Sequence, residues 1–379
     1  MTRVSFANSR SSPITSVHEA LGADFFFWNQ MPVSKSYGNG VESEHKVIRN
    51  AAGLTDMSGI KKIWLKGADA SKVLDFLITR DCKKIKPGSA VYAAVLDENG
   101  YLVDDAIVFR LSTPEFEKFD ATWLICFGAG FGVDYLKKSL HGNKAIARAD
   151  DDTACLMLQG PYAETVMRRV VKGPFPKNLR RFEHGLFSIL DSDVMIARTS
   201  YSGEDGFEIF VKDQNAIRIW NHLISNGALP VGFDAIDIAR IEAGLLFFGR
   251  DMTGCETPTE LGLDFILDDS KKNFRGKTAW QKRSQIPRHK IVGLTIDGLE
   301  PLYENTRLCV HKLPVGKITS YAVSAWLSKT VAFAQIKPEL AVNGNQISVC
   351  AESCCSVKSR AGVVCSRRFY SNFQKINAI

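Results

Sequence analysis

Two adjacent carboxylates, Asp104 and Asp105, interrupt the apolar run VDDAIVF at 103–109. Neighbours on a strand point to opposite faces, so one of them can meet solvent while the other enters a cleft. Val103, Ala106, Ile107 and Val108 make a carboxylate here costly unless it has a partner. An acid so placed suits proton transfer or ligand orientation, with its pKa set by its surroundings. The plain alternative is a strand-end pair in water. A second constellation is TSYSGEDGFEIF, Thr199 to Phe210. Alternation along GFEIF sends Phe207 and Ile209 to one face and Glu208 to the other. A carboxylate accepts two parallel hydrogen bonds, which fits an amino-heterocycle with adjacent N–H groups. Tyr201 offers a flat surface nearby, and Gly203 and Gly206 let the backbone turn close to a ligand. The conspicuous acids of the stretch, Glu204 and Asp205, are expected at a solvated turn tip. The plain alternative here is a hairpin with an outward glutamate.

Other chemistries lack their residues. His45, His184 and His222 stand in unrelated contexts and form no recognisable triad. No G-x-G-x-x-G follows a first strand, and no Walker loop, H-E-x-x-H or G-x-S-x-G occurs. Nine cysteines cannot all pair, and Cys350, Cys354, Cys355 and Cys365 lack C-x-x-C spacing and a nearby histidine. Free thiols in a reducing, cytoplasmic setting and no metal are therefore expected. No apolar stretch is long enough to cross a bilayer, and the polar first twenty residues do not read as a secretory signal. The net charge of +7 is uneven, because residues 271–290 hold eight Lys or Arg and no acid. Such a run is a solvated face, a polyanion-attracting surface or a nucleic-acid contact; it lacks the aromatic interleaving of a specific reader.

The elements that must position these acids are legible in outline. Residues 41–52 read as a surface helix ended by Gly53, and 68–79 as a helix capped by Asp69 with Val73, Leu74 and Leu77 inward. Residues 92–109 form a hairpin around Glu98-Asn99-Gly100, with a further strand at 122–127. Residues 187–211 repeat that grammar twice, turning at Asp191-Ser192-Asp193 and at 203–206. A helix at 215–226 places Ile217, Trp220 and Ile224 together and stops at Gly227, and Asp234 is positioned to cap the next helix, DAIDIARIEAG. Beyond the basic run, 291–379 is short strands and turns. The fold class is α+β with an all-β C-terminal domain, divided as 1–285 and 286–379.

From about Ser11 onward these pieces resemble the tetrahydrofolate-dependent aminomethyltransferase family, typified by the T-protein of the glycine cleavage system. The likeness runs through SPITSVHEALGADFFFWNQMPVSKSY, EHKVIRNAAGLTDMS, FLITRDCKKIKPGSAVY, ENGYLVDDAIVF, LQGPYAE, TSYSGEDGFEIF, RIEAGLLFFGRDM, TPTELGL, VGKITS and the terminal RRFY. It implies a three-domain cloverleaf with a C-terminal barrel, two interleaved α+β subdomains within 1–285, and tetrahydrofolate in a central channel. Asp105 matches the central acid beside the reacting nitrogens, Tyr92 and Tyr201 the aromatic residues of the pterin site, and Glu208 the acid that grips the pterin's amino edge. The basic run would meet the glutamate tail. Three departures stand out: Ile236 where the family usually has arginine, Phe127 where it has asparagine, and Phe109 where it has tyrosine. They imply an intact folate side and a more apolar donor side. A methyl transferase drawing on a small S-, N- or O-methyl donor is therefore expected, with neither nucleic acid nor membrane as partner. A true aminomethyltransferase acting on a lipoyl carrier protein is the alternative. A folate-binding iron–sulfur assembly factor is a further one, but Thr253-Gly254-Cys255-Glu256 lacks that branch's K-G-C-Y-x-G-Q-E motif.

Overall fold

The computed structural model describes residues 10–111, 121–173, 175, 179–350 and 359–370. Cys354 and Cys355 lie outside them. The apolar runs expected as strands pair antiparallel into a five-stranded sheet. Its order is Ala90–Leu96, Leu102–Arg110, Trp123–Phe127, Lys61–Lys66 and Ile146–Ala149. A six-stranded sheet runs His184–Ile189, Ser192–Ala197, Gly206–Lys212, Thr153–Gln159, Gly53–Asp56 and Leu229–Pro230, with the last pair parallel. Every residue of WLICF is buried, as a strand covered on both faces requires.

Burial on both faces makes the molecule layered. Trp64, Ala90, Phe109, Leu124 and Cys126 of the first sheet share one apolar cluster with Cys155, Met157, Met195, Ala197 and Phe210 of the second. The two sheets therefore face each other. The outer face of the five-stranded sheet packs under the helices Ala70–Leu77 and Gly132–Leu140. The outer face of the six-stranded sheet packs under Ala163–Val170 and Asp213–Ser225. Helix Phe233–Ala243 lays Phe233, Ala235, Ile236 and Ala239 into the inner layer. The last unit is a closed six-stranded barrel running from Lys290 to Cys365. Ala322, Val331 and Phe333 of the barrel join Leu96, Leu102 and Leu261 in a cluster that fixes it to the first sheet.

Several local expectations need correction. Asp69 precedes its helix but makes no cap; its carboxylate accepts the Lys144 N–H at 2.7 Å. Gly53 opens a strand, and its helix ends at Asn50. In helix Asp213–Ser225 the inward stripe is Ala216, Ile219, Trp220 and Leu223, with Ile224 packed at its edge; Ile217, three residues before Trp220, lies off that stripe and is 39% exposed. Helix Phe233–Ala243 begins after Gly232 without a side-chain cap; Asp234 is an acid of the first turn and pairs with Lys35 at 3.8 Å. The basic run is largely absorbed. Buried Lys271 donates to the carbonyls of Asp75, Ile78 and Arg80, Arg275 pairs with Glu98 at 2.6 Å, and Arg288 pairs with Glu260 at 2.8 Å.

Candidate active site

Strand Leu102–Arg110 divides its two acids as alternation requires. Ala106 and Val108 pack on the outer, helix-covered face, whereas Ile107 and Phe109 join the inner layer and Asp105 shares their side. Tyr92, on the adjacent strand and opposite Ile107, donates its hydroxyl to Asp105 Oδ2 at 2.8 Å. Asp104 is fully buried and accepts three backbone N–H bonds: from Asp105 at 2.9 Å, Gly130 at 3.1 Å and Gly132 at 2.9 Å. Neither acid is the water-exposed strand-end residue of the plain alternative. Burial pushes both carboxyls up from the ordinary range, and the charge of Asp105 adds to the rise at Asp104. Asp104 spends its acceptor capacity on three backbone N–H groups, whereas Asp105 accepts one side-chain bond, from Tyr92, and keeps lone pairs free to take a proton.

The backbone around Asp105 leaves little slack. A Cβ on Gly128 would sit 2.5 Å from Asp105 Oδ1 and 3.3 Å from Asp104 Oδ1, so only glycine fits. Asn29 reaches across from the two-stranded ribbon, Asp24–Trp28 with Met31–Ser36. Its amide donates to the Gly128 carbonyl at 2.7 Å and the Gly59 carbonyl at 3.1 Å. Beside it Trp28, Phe233 and Phe247 build an aromatic wall, with ring centroids 5.5 to 6.2 Å apart.

Glu208 approaches from the second sheet. Phe207 and Ile209 are buried in the outer core, while Glu208 pairs in register with Ala197 and Met157 of the inner layer. Burial pushes its carboxyl up, and the Thr199 hydroxyl, donating to Oε2 at 2.5 Å, works against that rise. Among the described residues Thr199 is its one hydrogen-bond donor, leaving acceptor capacity aimed into the layer. Tyr201 is anchored by its hydroxyl to the Leu246 carbonyl at 2.5 Å, and burial raises its pKa. Tyr92 and Tyr201 both lie within electrostatic reach of Asp105. Asp105 and Glu208 thus face the inner layer from the two sheets, Tyr201 joins that layer from the loop before Gly206–Lys212, and Tyr92 borders it through Asp105 while packing on the cluster beneath the barrel.

The turn between them is not a solvated tip. Gly203, at φ +82°, lies so close to helix Phe233–Ala243 that a Cβ would meet Ala243 Cβ at 2.7 Å. That approach carries Glu204 inside, where it is 1% exposed and pairs with Arg49 at 2.9 Å. Asp205 accepts from Arg198 Nε at 3.0 Å and Nη2 at 2.5 Å. Arg49 also pairs with Glu242, which accepts from His45 at 3.0 Å and from Ser324 of the barrel at 2.5 Å. Sequence reasoning missed this buried network. The signal was available: Arg49, Arg240 and Glu242 interrupt otherwise apolar helix faces, and a charge in such a place needs a buried partner. Phe127 also needs correcting as a cleft residue. It pairs with Ala106 and packs on the outer face, away from Asp105. Ile236 does belong to the inner layer, and Phe109 packs there edge-on to Phe210.

Comparison with known proteins meets this geometry directly. Residues 14–271 match the GCVT N-terminal domain, and residues 289–370 match the glycine cleavage T-protein C-terminal barrel domain. The chain belongs to the glycine cleavage T-protein family. A curated relative, the heme-dependent oxidative N-demethylase gamma subunit of Ectopseudomonas mendocina, is 35% identical over 90% of this chain and 93% of its own. The aminomethyltransferase of Rubrobacter xylanophilus is 32% identical over 89% of this chain and 90% of its own. The crystal structure of glycine cleavage system aminomethyltransferase T from Bartonella henselae superposes with a TM-score of 0.86 at 26% identity, covering 96% of this chain and 98% of that one. The T-protein architecture with its closed C-terminal barrel is therefore shared, and the protein is an enzyme of the family's one-carbon transferase type. No helix among the described residues is long and apolar enough to cross a membrane.

Proposed function

We propose that this chain is a tetrahydrofolate-dependent one-carbon transferase of the demethylase type, with a small N-methyl compound as donor. The observation that carries the reading is the pairing, across one inner layer, of the Tyr92–Asp105 hydrogen bond with the buried, under-occupied carboxylate of Glu208. The residues present fit the folate. Glu208 has acceptor positions for an amino-heterocycle edge, and Tyr92 and Tyr201 supply flat apolar surface on the same side. Bound tetrahydrofolate supplies the nucleophilic nitrogen that receives the one-carbon unit. Asp105, with its raised pKa, takes the proton that this nitrogen gives up, and Tyr92 fixes the carboxylate's direction. The facing sheets and the aromatic wall exclude water, so positioning supplies much of the remaining rate. The donor's carbon–heteroatom bond breaks with its electron pair staying on the heteroatom, which takes up the proton that Asp105 received from the folate nitrogen.

The donor class rests on Ile236 and the Trp28, Phe233 and Phe247 wall, which offer apolar contact. The name of the Ectopseudomonas relative, an N-demethylase subunit, supports an amine. The aminomethyltransferase names of other relatives support the second reading equally: transfer from an aminomethyl-lipoyl carrier protein. Tetrahydrofolate offered with a panel of N-, S- and O-methyl donors, and separately with aminomethylated carrier, separates the two. Methyl-folate is the product expected from the first arm, and methylene-folate from the second. Failure of the intact chain to bind tetrahydrofolate in calorimetry would sink both.

A further inference from the structure

The cations around Tyr92 and Tyr201 are not equally engaged. Arg240 is sealed and saturated, donating to Asp237 at 2.8 Å, Asp251 at 2.5 Å, the Leu245 carbonyl at 3.1 Å and Ser320 at 2.9 Å. Arg250 is held by Asp237 at 2.6 Å and Glu304 at 3.2 Å. Arg367 differs. It comes from the segment that follows the barrel, where Phe369 stacks on Phe333 and packs into the cluster that holds Tyr92. Its Nη2 donates to the Gly262 carbonyl at 3.1 Å, while its Nη1 is buried with no partner among the described residues. Burial pulls this guanidinium's pKa down, opposed by Asp251 and Tyr92, which lie within its electrostatic reach. Asp251 is already committed, accepting from Arg240, Thr319 and the Phe247 N–H.

An arginine remains charged even so, and a partly buried guanidinium whose Nη1 is sealed without a partner is costly unless an anion arrives to use that donor. Sequence position gives no hint of this role, because RRFY is remote from both acid motifs. We propose that Arg367 is a carboxylate-binding residue of the active site, presenting Nη1 to a ligand carboxylate on the Tyr92 side of Asp105. The carboxylate belongs either to the one-carbon donor or to the glutamyl tail of the folate. The proximity to Tyr92, itself bonded to the proposed proton acceptor, favours the donor. This inference rests on the transferase reading above and goes beyond it in naming a substrate group and its receptor.

The test is calorimetry with the full chain and the variants Arg367→Met and Arg367→Lys, using two matched ligand pairs. The first pair is N-methylglycine and dimethylamine, measured in the presence of tetrahydrofolate. The second is tetrahydrofolate and tetrahydropteroate, which lacks the glutamyl group. A charge-assisted contact is worth roughly a 10- to 150-fold change in Kd. Arg367→Met should lose that much for the carboxylate-bearing member of one pair and less than threefold for its partner. Arg367→Lys should fall between, because it keeps the charge and loses the fork. Loss confined to N-methylglycine assigns the donor; loss confined to tetrahydrofolate assigns the tail. Equal losses within both pairs, or no loss in either, overturn the proposal, since a purely structural arginine cannot discriminate within a pair. The transferase reading fails separately, if the unaltered chain does not bind tetrahydrofolate.

Discussion

Asp105→Asn should make the protein more stable at pH 8 while removing its activity. Burial raises the Asp105 carboxyl from 3.8 to about 6. The native state therefore keeps a proton that the unfolded chain has already lost, so stability falls as pH climbs from about 4 to about 6 and stays reduced above that. At 1.36 kcal/mol per pH unit the full penalty is about 3 kcal/mol. Geometry supports a cost of that size. Both acids have an oxygen within 3.3 Å of one point, the Cβ position of residue 128. Two like charges about 6 Å apart repel by roughly 3 kcal/mol at an effective dielectric of about 20. Asparagine removes the charge but brings an amide that needs a partner, so a net gain of about 1–3 kcal/mol is expected. With an unfolding entropy near 0.8 kcal/mol/K for a chain of this length, that is roughly 1–4 °C. Thermal melts of both proteins at pH 8 and pH 4 measure it, and the advantage should vanish at pH 4. Transfer should drop about 10²- to 10⁴-fold with tetrahydrofolate affinity changed only a few-fold. A variant that melts at or below the wild type at pH 8 would show that the carboxylate is compensated in the apo protein, and the argument for a poised proton acceptor would fall.

Glu208→Gln should weaken tetrahydrofolate binding about 10- to 100-fold in calorimetry while leaving kcat at saturation nearly unchanged; an unaltered Kd would remove Glu208 from the binding site. Gly128→Ala places a Cβ against Asp105, and the displaced carboxylate should cost about 10²-fold in transfer with secondary structure by circular dichroism intact. Full activity in that variant would mean that the Asp105 geometry is not used. Glu204→Ala strips one partner from fully buried Arg49 and should destabilise by roughly 3 kcal/mol, read as a fall of several degrees in melting temperature. An unchanged melt would mean that Glu242 alone satisfies the arginine.

What the sequence revealed and what it hid divide along physical lines. Periodicity exposed the strands that carry Asp105 and Glu208, because alternation within a single strand is a local property. It also separated Asp105 from Asp104 and Glu208 from Phe207 and Ile209, although it left open which face looked inward and said nothing of the opposing sheet that turns a face into a cleft. The error at Glu204 and Asp205 has the same origin. Acids flanked by glycines look like a solvated turn until a helix from elsewhere in the chain, Phe233–Ala243, covers that turn and Arg49 arrives to pair with one of them. Arg367 was hidden for a stronger reason, since its meaning lies in an idle donor whose surroundings come from three separate stretches of chain. The same distinction separates structure from function within this one loop. Glu204 spends its charge on holding Arg49, and through Glu242 and Ser324 that network ties the barrel to the two sheets. Glu208, four residues on, is left with one hydroxyl and spare acceptor capacity. A buried acid whose bonds are complete stabilises a fold, whereas one with bonds still to make is built for a ligand, and by that criterion the quieter glutamate carries the chemistry.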